Sequence, residues 1–566
     1  MHLDLVIRGG TVVDGSGSEP FEADVGITDG RIAFIGQNAP KGHEEIDARG
    51  KIVTPGFVDI HTHYDGQVTW ENRLQPSSQH GVTTALMGNC GVGFAPCLPE
   101  NRERLVHLME GVEDLPEVVL TTGLPWAWQS FPEYLDFVES RSFDIDVATQ
   151  VPHAALRVHV MGERAIAHEA ATPEDRVAMA ALAVEAVAAG ALGFATSRTI
   201  NHRSSEGWHI PTLVAAEEEL ATIGRAIGAN GNGVLQLISD FADPEQELPM
   251  LRRVAEAAGR PMSVSLLQMH DAPEKWRQVL QWIDDCNADG LEIRAQVSGR
   301  MVGILMGFEL TFHPFQTKPS WEKLANLSRE ERRAALASPE VRARLISEKA
   351  TPSPYDGLIR NFAGIYPVTD NPDYEPTPAH SIAALAAEAG VSPDELTYDM
   401  MMAADGDGIL MGSGANYATG GLEPQREMLR NPHTVYGLGD GGAHLGFLCD
   451  ASLPTFMLQH WVRDRTRGER IALTEVVKGL TSDNARAVGL NDRGLLKTGL
   501  KGDVNVIDMD RLALKAPQVA YDLPAGGRRV TQQATGYAAT IVSGVVTYRE
   551  GQPTGALPGR LVRGAR

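Results

Sequence analysis

Apolar and polar positions alternate in short runs at residues 5–8, 11–13, 24–28, 32–35 and 52–53, each bounded by Gly or Asp. A period of two marks a half-buried strand. Asp29-Gly30 between two of these runs predicts a tight hairpin turn. Residues 502–508 alternate in the same way, and 540–548 read as a hairpin near the other end of the chain. Pairing the two ends gives one small β-sandwich domain, residues 1–54 plus 481–566.

Between them the pattern changes. Apolar runs at 57–61, 83–87, 146–150, 191–196, 234–238, 263–267, 292–296 and 435–439 are separated by longer stretches with helical spacing, among them 173–189, 213–229, 248–259 and 273–289. Eight strands alternating with helices predict an α/β fold, a (β/α)8 TIM-like barrel spanning 55–480, with functional groups at the strand C-termini. A doubly wound open sheet is the rival. No Gly-x-Gly-x-x-Gly follows a strand, which weakens a dinucleotide-binding version. The gap before the last strand is too long for a loop. Residues 301–432 therefore contain an insertion, charged and helical at 321–348 and rich in Pro, Tyr and Asp at 351–380, placed to cover the barrel mouth as a lid.

Composition narrows the function classes. The formal charge of −23 disfavours nucleic acid and anionic membranes as partners, since both need basic patches. Four cysteines in 566 residues make no disulfide framework, and reduced thiols suit a cytoplasmic protein. No signal peptide and no membrane span are read from the sequence. Homo-oligomerisation stays open.

The first strand runs Phe57-Val58-Asp59-Ile60-His61-Thr62-His63. Side chains two apart share a face, so His61 and His63 project together from the strand's end and form half of a divalent metal site. Cys90, in Gly88-Asn89-Cys90-Gly91, follows the second strand, where a thiolate would be a strong zinc ligand. Asp440, in Gly439-Asp440-Gly441-Gly442-Ala443-His444, follows the eighth. A carboxylate there touches a metal, takes a proton from water and delivers it to a leaving amine. His153 lies beyond strand three, His202, Arg203 and His209 on the loop after strand four, His270 after strand six, and His444 beside Asp440. These six are candidate substrate contacts, with structural or solvated roles as the alternative.

Together these segments make the chain similar to the amidohydrolase superfamily, and more closely to its N-acyl-D-amino-acid deacylase (D-aminoacylase) group. The resemblance rests on residues 6–15, 55–63, Gly81-Val82-Thr83-Thr84 leading into Gly88-Asn89-Cys90-Gly91, Gly439-Asp440-Gly441, residues 484–490 and 499–504, and Pro558-Gly559-Arg560. It implies a barrel carrying a β-sandwich, Zn2+ or another divalent metal, and hydrolysis of an amide C–N bond in a small-molecule substrate. His61 and His63 match the strand-one ligands, Cys90 the ligating and bridging cysteine, and Asp440 the strand-eight acid.

Two departures stand out. The family's strand-five and strand-six ligands are histidines, whereas the corresponding strings read Leu235-Gln236-Leu237-Ile238 and Val264-Ser265-Leu266-Leu267, with Leu266 near the second ligand's place. One metal on His61, His63, Cys90 and Asp440 is expected, and the second site is in doubt unless His270, Gln236, Asp240 or His202 rebuilds it. The family's basic substrate-gripping residue is absent as well, and Gln268 stands near its position. Arg198, Arg203 and Arg300 remain as alternative cations. The expected activity is D-aminoacylase-like, on an N-acyl-D-amino acid or related amide, through metal-activated water with Asp440 as general base. Alternatives are a cyclic-amide or other C–N hydrolase of the superfamily, and a non-catalytic barrel serving as a binding protein.

Overall fold

In the computed structural model, residues 2–564 are described. Eight parallel strands form its centre: β1 (Phe57–Asp59), β2 (Val82–Met87), β3 (Asp146–Thr149, continued by Val151–Pro152), β4 (Gly193–Arg198), β5 (Val234–Ser239), β6 (Met262–Leu266), β7 (Ile293–Val297) and β8 (Thr434–Tyr436). Each pairs in parallel with the next. The circuit returns to its start through a parallel bridge between Thr62 and Gly441. Where β1 and β8 lack a full ladder, Asn484 stands in, donating through Nδ2 to Val58 O (2.8 Å) and Tyr436 O (2.6 Å).

Strands flanked by helices are buried on both faces, which explains continuous runs such as Val82-Thr83-Thr84-Ala85-Leu86-Met87, buried throughout. The helices between them start where the residues dictate. Thr172 and Asp175 form a capping box at the head of Pro173–Ala189, and Asp243 caps Pro244–Ala258.

The two chain ends share one nine-stranded sheet. Val504–Ile507 pairs antiparallel with Ile52–Pro55, which joins the end of the chain to its start. The sheet has its own core, including Leu5, Ile7, Val25, Ile27, Val504 and Ile541. Asp29-Gly30 forms the expected hairpin turn, with φ of 49° and 70° at its two central residues. Gly42–Asp47, a strand that the sequence pattern missed, lies parallel to Leu3–Val12. Its charged Gly-His-Glu-Glu-Ile-Asp composition carries no alternating apolar signal.

Between β7 and β8 lie further strands and helices. Val302–Met306, Leu410–Ala415 and Ile365–Pro367 make a small antiparallel sheet. Short helices pack on it around Phe308, Phe315, Trp321 and Tyr398. No helix among the described residues is long and apolar enough to cross a membrane. All four cysteines are free and buried.

Candidate metal centre

The seam between β1 and β8 brings the site together. Asp440 N–H donates to His61 O at 2.9 Å, and His63 N–H donates to Gly441 O at 2.8 Å. Two histidines and one aspartate, 377 to 379 positions apart in sequence by their numbers, thus share one short stretch of backbone pairing. Cys90 enters from the turn after β2. A Cβ at Gly88 would stand 2.2 Å from Gln150 O, so the chain can pass there only without a side chain. Cys90 (φ 55°), Asp440 (47°) and His444 (52°) all occupy the left-handed region. Such conformations persist where the surroundings hold them, and they cluster at functional sites.

The donor atoms converge. Cys90 Sγ lies 3.3 Å from His61 Nε2. Asp440 Oδ1 lies 3.4 Å from His61 Nε2 and 3.7 Å from His63 Nε2. The ligating atoms of His61, His63 and Cys90 all fall within 4.8 Å of one another. Donors bound at normal zinc distances sit about 3.3–3.8 Å apart around a tetrahedron, the spacing of the Cys90–His61, Asp440–His61 and Asp440–His63 contacts. Each imidazole presents Nε2 to the centre. Behind His61, Nδ1 hydrogen-bonds Gln296 Oε1 at 2.6 Å; behind His63, the Glu113 carboxylate stands 3.2 Å from Nδ1 as a charge contact outside hydrogen-bond geometry. Outer partners of this kind fix the tautomer and orientation of a metal-binding histidine.

Burial sets the charges. His61 and His63 are each 1% exposed. Burial pulls His61 down to about 4, so it is neutral and ready to ligate. Burial lowers His63 as well, but the Glu113 carboxylate, with Asp440 and Cys90, outweighs it and holds His63 well above the usual histidine range. Burial pushes the Cys90 thiol up to about 11. A bound cation must therefore displace that proton. Burial also opposes ionisation of Asp440, yet His63, His61 and His444 overcome it and hold the carboxyl below its ordinary range.

A cavity of about 140 Å³ lies over this cluster, lined also by His202, His444, Glu113 and Asp450. Of the six candidate substrate contacts, His202 and His444 reach it. His202 is held by Ser197 Oγ at 2.9 Å, and His444 Nε2 stands 3.7 Å from Glu113 Oε2. The other four do not line it, a correction to the sequence expectation. His153 is the first residue of the helix His153–Met161 and turns away from the cavity, bonding Thr196 and Glu219 at 2.8 Å each. There Glu219 also binds Arg157, so the histidine belongs to a buried structural network. Arg203 Nε donates to Ile200 O, and Arg203 forms an antiparallel bridge with His209, which folds their loop onto itself. His270 is exposed and hydrogen-bonds Ser413 O in the insertion.

The empty ligand positions are now located. On β5 and just past β6 the cavity is lined by Ile238, Ser265 and Leu267. Leu266 packs into the main apolar core, so Ser265, not Leu266, faces the site on that strand. Gln236 accepts the Cys90 N–H at 3.0 Å and donates to Ser265 Oγ at 3.5 Å. Asp240 ties the loop after β4, accepting from Thr199 and Ile200. Glu113 and Gln296 were missed by sequence reasoning. Glu113 carried one signal: it ends the helix Arg102–Glu113, where the dipole disfavours an acid.

Residues 44–548 match the family model described as "Amidohydrolase family". The chain is 27% identical to an N-acyl-D-glutamate deacylase of Alcaligenes xylosoxydans xylosoxydans over 571 residues, covering 99% of this chain and 96% of that one. It is 33% identical to a D-aminoacylase of the same organism over 230 residues, 40% of this chain and 43% of the other. The crystal structure of an N-acyl-D-glutamate deacylase from Bordetella bronchiseptica, complexed with zinc and a phosphonate inhibitor, has the same fold. Its TM-score is 0.67 at 23% identity, over 100% of both chains.

Proposed function

The chain belongs to the amidohydrolase family, a D-aminoacylase-like hydrolase of carbon–nitrogen bonds other than peptide bonds, and on that premise we propose that it hydrolyses an amide at a single metal held by His61, His63, Cys90 and Asp440. The convergence of His61, His63 and Cys90 within 4.8 Å, with Asp440 Oδ1 3.4 and 3.7 Å from the two histidines, carries the reading. We read the strand circuit as the (β/α)8 barrel of the family, residues 55–480, with the terminal sheet (1–54 plus 481–566) as a second domain and 301–432 as its cover.

A divalent ion, zinc by the donor set, would supply Lewis-acid polarisation of the amide carbonyl and acidify water. The chain does the rest. Gln296 and Glu113 orient His61 and His63 from behind. Asp440, with a side chain 16% exposed, reaches the cavity and stays ionised, so it can take the proton of the attacking water. The same carboxyl then returns that proton to the departing nitrogen. His202 and His444 stand across the cavity, where they can meet the carbonyl or the acyl group. The Gln236–Ser265 pair fills the β5/β6 side with neutral groups, which supports one metal over two.

The test is Asp440→Asn in the metal-loaded enzyme, assayed on acyl amino acids, aryl amides and cyclic imides. Turnover should fall about 10²–10⁴-fold with the far-UV spectrum intact. Near-normal turnover would refute the role of Asp440.

A further inference from the structure

Resting on the amidohydrolase reading above, we infer that this site takes a neutral or cationic amide and turns away substrates with a carboxylate beside the scissile bond. The walls of the cavity point to it. Three carboxylates face inward: Glu113, Asp440 and Asp450. No arginine or lysine lines the cavity among the described residues.

The buried cation that pairs with a cavity carboxylate is Arg300, held in place by its own contacts. Arg300 donates to Asp450 Oδ1 (2.6 Å), Cys449 O (2.8 Å) and Ser452 Oγ (2.9 Å), and it lies 4.2 Å over the Tyr374 ring. Arg198 is likewise held by Glu247 and Ala215 O. Arg203 is turned to its own loop.

The charges can be counted. A bound divalent ion would balance the Cys90 thiolate and the Asp440 carboxylate, and Arg300 balances Asp450. Glu113 stands against His63, with Oε1 3.2 Å from Nδ1, and against His444, with Oε2 3.7 Å from Nε2. It is 1% exposed, and its Oε2 has no hydrogen-bond partner. A buried acceptor in that state calls for a donor, such as an amide N–H or an ammonium group. A further carboxylate brought into the same small space would meet repulsion from Glu113 and Asp450 and a cost of desolvation.

The experiment uses the zinc-loaded full-length protein and matched pairs: N-acetyl amino acids of both hands and the same compounds as C-terminal carboxamides. Binding is measured by calorimetry, and released amine is followed separately. Carboxamides should bind about tenfold or more tightly than their acids, the worth of one charge-assisted hydrogen bond. Leu267, a partly exposed cavity residue, gives the converse. Leu267→Arg should shift the preference about tenfold toward the acids, and Leu267→Lys serves if the arginine variant does not fold. Equal or tighter binding of the acids by the native protein overturns the inference, as does failure to bind any carboxamide. Binding of carboxamides without hydrolysis of any pair leaves it standing and sinks the amidohydrolase reading instead. Hydrolysis that favours the acids does the reverse.

Discussion

The two halves of the strand circuit treat the cavity differently. The β8–β1–β2 side carries every donor of the centre, His61, His63, Cys90 and Asp440, within a few ångströms. The β5–β6 side presents Ile238, Ser265 and Leu267, with Gln236 bonded to Ser265. β1 and β2 stand in one parallel sheet of the circuit and β5 and β6 in its neighbour, and both sides are largely withdrawn from water. They differ in what burial demands. Charged or ligating groups out of water need partners, and the first side supplies them by converging on one another and on Gln296 and Glu113. The second side is neutral and already satisfied by its own hydrogen bonds, so nothing there calls for an ion. On the proposed reading, what faces the cavity from the second side is what would limit the centre to one metal.

The contrast can be broken in order of effect. Removing a ligand is the strongest: His61→Ala should strip most of the bound metal, read by elemental analysis, and abolish hydrolysis. Unchanged metal content would move the centre elsewhere. Next comes the acceptor behind that ligand. Gln296→Leu leaves His61 Nδ1 without its partner and should weaken metal affinity about 10–100-fold, measured by competition with a chelator. The neutral side can be converted as well. Gln236→His combined with Ser265→His puts imidazoles where the neutral pair now stands, and metal content per chain should rise above that of the native protein. If it does not, side chains other than these two exclude a second ion.

The smallest effect lies outside both halves. His80 is buried against Thr455 and Gln532 O, and burial holds it at about 4. His313, against Trp321 in the insertion, is held at about 3 by burial. Unfolded histidines titrate near 6.5, so the folded chain binds fewer protons in this window. Stability is then fully present above about pH 6.5 and is lost as pH falls toward the folded values. The loss from His313 alone should be about 2–3 kcal/mol by pH 4.5. Thermal melts of His313→Asn should show a flatter decline between pH 6.5 and 4.5 than the native protein. An identical slope would remove His313 from the acid response.

Much of the proposed centre was legible because its candidate ligands follow strands. His61 and His63 follow an apolar run two residues apart, and Cys90 and Asp440 follow runs of their own. The partners behind them were not legible. Glu113 ends a helix, and Gln296 lies within β7, far along the chain from the histidines they hold. His153 shows the opposite failure. It too follows a strand, yet it opens a helix that turns it into the outer layer. Leu266 was misjudged by a single position, and in a strand one position exchanges the two faces.

By itself, then, the sequence determined the alternation of strands and helices and the joining of the two chain ends, and it pointed to the four residues proposed as donors. These are properties of periodicity and of short strings, which local residues dictate. Only the tertiary structure decided which histidines reach the cavity, that Glu113 and Gln296 stand behind the ligands, that Arg300 is consumed by Asp450, and that the β5/β6 side is neutral and closed on itself. Each of these depends on contacts between segments tens to hundreds of residues apart. Such contacts exist only once the circuit of strands has closed, and no local pattern encodes them.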